Sequence, residues 1–257
     1  MKWYLLYLML LSGCVTTPHS KRTQLNFIPK QQMHSLGRQS YEEIKKKEQL
    51  IKSGPVYDQV VKIGKRIAAA SGVGFDWEFA VIKNDKMLNA FCLPGGKIAV
   101  YTGILPTAAN EAGLAAILGH EVAHAVLRHG AERMSQALIL QLGLTAAQVS
   151  MKNSKQKGVI MAALGLGAQF GVMMPFSRSH ESEADKIGLR YMAKAGYDPS
   201  EAPKLWQRMA KKGGGVPEIL STHPDPLKRA RALQKQIPSV NGFYQASRKQ
   251  ASRRLAY

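Results

Sequence analysis

Cysteine is scarce in this 257-residue chain, which contains only Cys14 and Cys92. No disulfide framework is needed, because hydrophobic residues form 45% of the sequence, enough for the packed core of one medium domain. Segments that repeat at a fixed period are also missing, which argues against a solenoid or a tetratricopeptide array. The length therefore fits a single domain with tails.

Acidic residues are few, with 17 Asp and Glu against 36 Lys and Arg, and the formal net charge is +19. Such an excess favours attraction to anionic surfaces such as lipid headgroups, lipopolysaccharide phosphates or nucleic acid. The plainer alternative is a solvated basic surface. Nothing in the sequence is typical of a recognition helix or of an aromatic-studded RNA-binding sheet, so we expect no nucleic-acid partner.

Long apolar runs are almost absent. The first run follows Lys2, extends from Trp3 to Leu11 and is too short for a permanent membrane anchor. It ends in "LSGC", which resembles a bacterial lipobox and implies cleavage before Cys14 and acylation of that cysteine. Because Val15 is not aspartate, the resemblance implies an outer-membrane lipoprotein that faces the periplasm. The alternative is an uncleaved signal anchor in which the cysteine is incidental.

The second apolar run is Gly158–Phe176, which carries no charge and could just span a membrane. It also contains four glycines, Gln169 and Pro175. These residues favour a buried or lid-like helix over a transmembrane one.

If Cys14 is acylated, Cys92 is left alone and no intrachain disulfide is expected.

The remaining pattern predicts an α+β fold that is predominantly helical. Helices are expected over 40–54 and 55–72, each closing at a glycine. Alternation over 76–85 and two shorter stretches within 87–105 predict a small three-stranded sheet, after which the period is helical again. The expected organisation is a signal peptide over 1–13, a lipid-anchored tether over 14–40, one folded domain over 41–237 and a basic C-terminal tail over 238–257.

The segment "HEVAH" carries the first chemical signal. His120 and His124 lie four residues apart and project from one face of a helix, where both imidazoles can bind one zinc ion. Glu121 lies beside that face, where its carboxylate can take a proton from a zinc-bound water. The alternative is an ordinary helix whose two histidines have hydrogen-bond partners and bind no metal. A third ligand elsewhere in the sequence would distinguish a zinc site from this alternative.

"SRSHESEAD" offers two carboxylates on one helical face, Glu181 and Asp185. One of them can bind zinc while the other accepts a hydrogen bond from a ligating histidine. Glu183 is out of phase and is expected to be solvent-exposed or to pair with Arg178, and His180 is expected to be a bystander. The spacing after "HEVAH" does not fit a metzincin, because position 127 is leucine and position 130 is glycine.

Together these motifs resemble the gluzincin family of CAAX-prenyl proteases and HtpX-like membrane-associated proteases. Its second motif, Ser-Arg-x-x-Glu-x-x-Ala-Asp, is matched by Ser177, Arg178, Glu181, Ala184 and Asp185. "NAFCLPGGKIAVYTGIL" is similar to the family's strand segment, "AGYDP" fits its lipoprotein and mitochondrial-type branch, and "STHPDPLKRAR" resembles its late His-Pro…Arg motif. The resemblance implies one Zn²⁺ per chain, held by His120, His124 and Glu181, with Asp185 behind a ligand.

The function expected from the resemblance is zinc-dependent hydrolysis of peptide bonds by a metallopeptidase domain over 41–237. The substrates would be unfolded or misassembled envelope proteins, and outer-membrane assembly factors are further candidate partners. Glu121 would act as general base, and His223 would stabilise the oxyanion while Arg229 orients it or the substrate. An extended substrate would add to the edge of strand Lys97–Tyr101. The residues expected to contact it are Asn89, Ala90, Lys97 and Ala99.

A rival interpretation is a zinc-binding chaperone or assembly factor for outer-membrane proteins that cleaves rarely, with the Gly158–Phe176 segment as a cover over the site. A membrane-embedded CAAX-type protease is excluded, because it needs several long apolar spans and the sequence offers at most one.

Overall fold

A computed structural model describes residues 14–137, Ile139, 177–211 and 225–257. The predicted signal peptide over 1–13 and the apolar run Gly158–Phe176 lie outside these residues. In the part that is described, no helix is long and apolar enough to cross a membrane.

The N-terminal segment is folded, which differs from the polar tether expected over 14–40. Strands β1 (Cys14–Thr16) and β2 (Thr23–Leu25) form an antiparallel hairpin, and helix α1 covers Lys30–Lys47. The helix buries Met33, Gly37 and Tyr41 at intervals of four residues. This buried face explains why the helix begins before the expected position 40, and the chain after it forms strand β3 (Leu50–Ile51) instead of continuing to Gly54.

Helix α2 (Pro55–Ser71) has the predicted boundaries. Pro55 occupies the first turn, where its missing N–H costs nothing, and Gly72 ends the helix in the left-handed conformation with φ of 68°.

The sheet has four strands, in the order β3-β4-β6-β5, where β4 is Glu78–Ile82, β5 is Ala90–Leu93 and β6 is Lys97–Tyr101. β4 and β6 pair in parallel, and the other pairings are antiparallel. The short strand β3 adds to the predicted three. β6 lies between β4 and β5, so the expectation that Lys97–Tyr101 forms an edge is wrong. The edge next to β6 is β5.

The helical part is built around helix α4 (Glu111–Val126), which follows the short helix α3 (Leu105–Ala108). α4 is buried on nearly every face and packs against α2, β5, helix α5 (Arg178–Lys194) and helix α6 (Glu201–Lys211). Helix α7 (Pro226–Ala246) packs on α5 and α6. Because nearly all residues of α4 are buried, this helix lies in the interior of the domain and carries its polar residues there.

The C-terminal residues over 238–257, predicted to be a basic tail, pack onto the domain. α7 continues through Pro238, and the amide of Gln250 donates to the carbonyl of Gly196 at 2.8 Å. The amide of Glu111 donates to the carbonyl of Arg253 at 2.9 Å. The first N–H groups of a helix have no partner within it, so the C-terminal segment satisfies one at the start of α4.

Candidate metal centre

Helix α4 presents His120 and His124 to the same buried point. Its first turn is capped by Asn110, whose side-chain oxygen accepts a hydrogen bond from the amide of Gly113 at 2.8 Å. One turn separates the two histidines, and their Nε2 atoms lie 2.9 Å apart. Both side chains are buried. The predicted convergence of the two imidazoles is present in the structure.

Helix α5 brings Glu181 to the histidines. Ser177 caps this helix by accepting a hydrogen bond from the amide of His180 at 3.3 Å. Glu181 Oε2 lies 3.4 Å from His120 Nε2, and Glu181 Oε1 lies 3.2 Å from His124 Nε2. The helices approach closely because Gly119 faces Gly188. A Cβ atom on Gly188 would come within 2.7 Å of the Gly119 backbone.

The donor set fits a zinc ion. His120, His124 and Glu181 each offer one ligand atom, and these atoms all lie within 4.8 Å of one another. Tetrahedral zinc with bonds of about 2.0–2.1 Å requires donor atoms roughly 3.3 Å apart, close to the separations found here. Two neutral imidazoles and one carboxylate also leave a fourth position for water or substrate, as a catalytic site needs.

Asp185 and Arg229 support the donors from behind. Asp185 Oδ1 lies 3.1 Å from His120 Nδ1, in the place predicted for a carboxylate that orients a ligand. Arg229 donates to both oxygens of Asp185 at 2.8 and 2.6 Å. Its Nη1 lies 2.7 Å from Glu181 Oε2. Arg229 therefore binds the two carboxylates, and its orientation of His223 or of the substrate stays a prediction. His223 lies outside the described residues.

Sequence reasoning missed Trp206 on helix α6. Its ring lies under the guanidinium of Arg229, 3.5 Å from the ring centroid to the carbon of that group. A buried cation over an indole face is stabilised by the ring quadrupole. The only sequence signal was an aromatic residue on an amphipathic helix, which is typical of any core position.

The electrostatics keep the acidic groups ionised. Burial by itself raises the pKa of Glu181, but His120 and Arg229 hold it well below its usual range. Burial and Arg229 lower the pKa of His120, while Glu181 and Asp185 outweigh them and raise it to about 9. Bound zinc would replace this proton, because a ligating imidazole must be neutral.

Glu121 is buried on helix α4, close to strand β5. Burial, followed by the Glu121 carboxylate, raises the pKa of the Cys92 thiol on β5. A cavity opens between α1, β5 and α4, with walls that include Met33, Cys92, Pro94 and His124. One candidate ligand, His124, thus lines a cavity along the edge strand, and the Cys92 thiol in its wall senses the charge of Glu121.

The expected substrate residues do not form one surface. Lys97 is buried, and its Nζ donates to Asp76 Oδ2 at 2.7 Å and to Glu78 Oε1 at 2.6 Å. Ala99 is fully buried on the interior strand β6. Strand β6 pairs with β4 on one side and with β5 on the other, so it offers no edge to a substrate, and contact of Lys97 or Ala99 with a substrate stays a prediction. Asn89 directly precedes the edge strand β5, and Ala90, whose side chain is also fully buried, begins it.

A second polar cluster lies beside the donors, formed by Arg22, His129, Glu132, His180 and Glu183. Glu183 is only 11% exposed at its side chain, and its Oε2 lies 3.1 Å from His129 Nε2. His180 Nε2 lies 2.9 Å from Glu132 Oε2, and its ring stacks on His129. The expectation of an exposed Glu183 is therefore wrong, while His180 is not among the three donor residues and its role as a bystander to the metal stays a prediction. Arg178 pairs with Asp225 at the surface, 3.5 Å away.

Two histidines and a glutamate on buried helices, with a second glutamate after the first histidine, define the class of metalloendopeptidases. Residues 57–237 match the family described as Peptidase family M48, which covers more than half of the chain. The chain belongs to peptidase family M48.

Curated relatives carry metalloendopeptidase or protease names. The chain is 41% identical over 185 residues to mitochondrial metalloendopeptidase OMA1 of Schizosaccharomyces pombe, covering 70% of this chain and 53% of that protein. It is 44% identical over 177 residues to the OMA1 protein of Arabidopsis thaliana, covering 67% and 34%. It is 33% identical over 187 residues to the beta-barrel assembly-enhancing protease of Yersinia pestis, covering 68% and 38%.

The chain thus spans between about a third and about a half of the length of these relatives. The predicted kinship with gluzincin metallopeptidases is confirmed at the level of family M48. The relatives compared bear the names OMA1 and beta-barrel assembly-enhancing protease, not those of HtpX-like or CAAX-prenyl proteases.

Proposed function

We propose that this protein is a zinc-dependent endopeptidase of the bacterial cell envelope that hydrolyses unfolded or misassembled envelope proteins. The observation that carries the proposal is the convergence of His120, His124 and Glu181 with Glu121 on the adjacent helical position. The family assignment supports the peptidase activity.

In the proposed reaction, zinc held by the three donors would polarise a water molecule and the scissile carbonyl. The Glu121 carboxylate takes the proton from the attacking water and then passes it to the leaving amine. Arg229 and Asp185 keep His120 and Glu181 in place while charge moves at the site. His223 is proposed to donate a hydrogen bond to the oxyanion, a role that rests on the resemblance alone.

The substrate is proposed to bind as an extended chain along strand β5, beside the cavity that reaches His124. Within the described residues, β6 is the only strand that pairs with β5. Backbone hydrogen bonds to an edge strand give affinity with little dependence on side chains, which suits unfolded polypeptides.

Degradation of casein by the purified full chain tests the activity. We expect cleavage that a chelator abolishes and added zinc restores. A zinc-binding chaperone for outer-membrane proteins is the alternative; the words beta-barrel assembly-enhancing in a relative's name support it, although the same name calls that relative a protease. Suppression of casein aggregation without fragments, at one bound zinc per chain, would support that alternative and contradict the endopeptidase.

The location is proposed to be the outer membrane, through acylated Cys14 after removal of 1–13, with the chain facing the periplasm. The lipobox-like "LSGC" supports the anchor, and the net charge of +19 supports additional contact with anionic headgroups. High-salt fractionation of native protein and Cys14→Ala separates the two attractions, because salt screens charge but not lipid anchoring. Native protein should stay in the membrane pellet and the variant should be released. Equal retention would contradict the anchor.

A further inference from the structure

The second polar cluster touches a candidate ligand. His129 Nδ1 lies 3.0 Å from His124 Nδ1, on the side of the imidazole away from His120 and Glu181. A histidine that binds zinc through Nε2 carries its proton on Nδ1 and needs an acceptor there. His129 provides that acceptor, just as Asp185 faces Nδ1 of His120.

The backbone is shaped to make this contact. In a straight helix, residues five apart point about 140° away from each other and cannot meet. Here α4 ends at Val126, Arg128 adopts a left-handed φ of 58°, and helical residues resume at 129. Non-glycine residues adopt this conformation at a cost. The left-handed turn at Arg128 brings the imidazole of His129 into contact with that of His124.

The chain of hydrogen bonds continues to the N-terminal hairpin. If His129 accepts at Nδ1, its Nε2 carries the proton and donates to Glu183 Oε2 at 3.1 Å. Arg22, in the hairpin, donates to the same oxygen at 2.8 Å. It also binds Glu132 with both terminal nitrogens, at 3.0 and 2.6 Å. Arg22, which lies outside the helices, thus binds both acidic residues of the cluster, Glu132 and Glu183.

We infer that His129 is a positioning residue for the zinc ligand His124, and that Arg22 of the N-terminal hairpin locks it in place through Glu183. The inference rests on the proposed zinc site. It makes the hairpin that begins at Cys14 part of the metal centre, so that displacement of the hairpin weakens zinc binding.

Zinc affinity of the full-length apoprotein, measured by competition with a fluorescent chelator, tests this. His129→Leu keeps the bulk and removes the acceptor, and we expect zinc binding to weaken by roughly ten- to a hundredfold, as for other lost outer partners of a ligand. His129→Asn places an amide oxygen near the position of Nδ1, so its affinity should stay near that of the native protein. Arg22→Met should weaken binding by a smaller factor.

Lys45→Met is the matched control, because Lys45 pairs with Glu42 and Glu78 away from the site. It should leave zinc affinity unchanged, and thermal midpoints of each apoprotein report any general loss of stability separately. Native affinity in His129→Leu, or equal weakening in the Leu and Asn variants, would overturn the role of His129. Native affinity in Arg22→Met would overturn the lock. If the native protein binds no zinc, the proposed function fails and the inference fails with it.

Discussion

Arg229 is the residue on which the charge balance of the metal centre depends. It is buried and lies against Glu181, Asp185 and the ring of Trp206. Buried carboxylates are tolerated only when they are paired, so without this guanidinium the charges of the donor Glu181 and of Asp185 behind His120 would lack their shared cationic partner. Zinc binding then depends on how Arg229 and Asp185 orient the ligands, as well as on the ligands themselves.

Asp185→Asn tests orientation at the residue scale. The amide can no longer act as a charged acceptor for His120 Nδ1, now 3.1 Å from Oδ1. We expect zinc affinity to fall by roughly ten- to a hundredfold while some metal binding is retained. Chelator competition measures the change, with Asp58→Asn on the exposed first turn of α2 as control. Equal zinc affinities in the two variants would show that Asp185 is an ordinary helix carboxylate that does not orient His120.

Among the elements, α4 and α5 matter most, because their contact places the histidines opposite Glu181. Gly119 and Gly188 form that contact backbone to backbone, and neither tolerates a Cβ atom without movement. The geometry of the donors is therefore set by the distance between two helices, not by loops.

Gly188→Ala should push α5 away from α4. Overpacking of this kind costs about 1–3 kcal/mol of unfolding free energy, and zinc affinity should fall as well. Gly242→Ala is the matched control, since a Cβ there meets nothing within 4 Å and helix propensity predicts about 0.5–1 kcal/mol of stabilisation. Urea unfolding of both variants gives the comparison. Should Gly188→Ala be as stable as its control, close helix contact is not required.

At the scale of the whole molecule, both ends of the described chain pack onto the helical domain. Arg22 binds Glu132 and Glu183 from the N-terminal side, and Arg253 accepts from the first turn of α4 at the C-terminal side. The contacts of Arg22 and Arg253 therefore contribute to the stability of the domain.

The pairing of Glu132 predicts an acid-sensitive contribution. Burial by itself raises the pKa of Glu132, but hydrogen bonds from His180 and Arg22 lower it to about 2, against an ordinary value of 4.5. The stability from a carboxyl with a lowered pKa is present above the ordinary value and is lost as the pH falls through the folded value. The thermal midpoint of the native protein should exceed that of Glu132→Gln above pH 4.5, and the gap should close near pH 2.

Exposed Glu43→Gln is the control and should show no such gap. A difference between native protein and Glu132→Gln that is the same at every pH would contradict the ionic origin of the contribution.

Much of the site could be predicted from the sequence, because the spacing of residues along one helix determines which side chains point the same way. The spacing of His120 with His124, and of Glu181 with Asp185, placed each pair on one face, and Pro55 and Gly72 marked the ends of α2 correctly. Pairings between distant segments could not be read in this way. The parallel β4–β6 pairing puts Lys97 inside the sheet, and no local pattern indicates it.

The second polar cluster was missed for a related reason. It depends on the left-handed turn at Arg128, and arginine carries no sequence signal for that conformation. The packing of the C-terminal residues was missed because it relies on backbone hydrogen bonds, which every residue can form.

The most direct test of the account combines turnover and metal content of Glu121→Gln in one preparation. If Glu121 acts on water and not on the metal, casein cleavage should fall by roughly a hundredfold or more while zinc stays near one per chain. Native turnover in the variant would contradict the assignment of the general base. Loss of zinc together with activity would instead place Glu121 among the metal ligands and contradict the donor set of His120, His124 and Glu181.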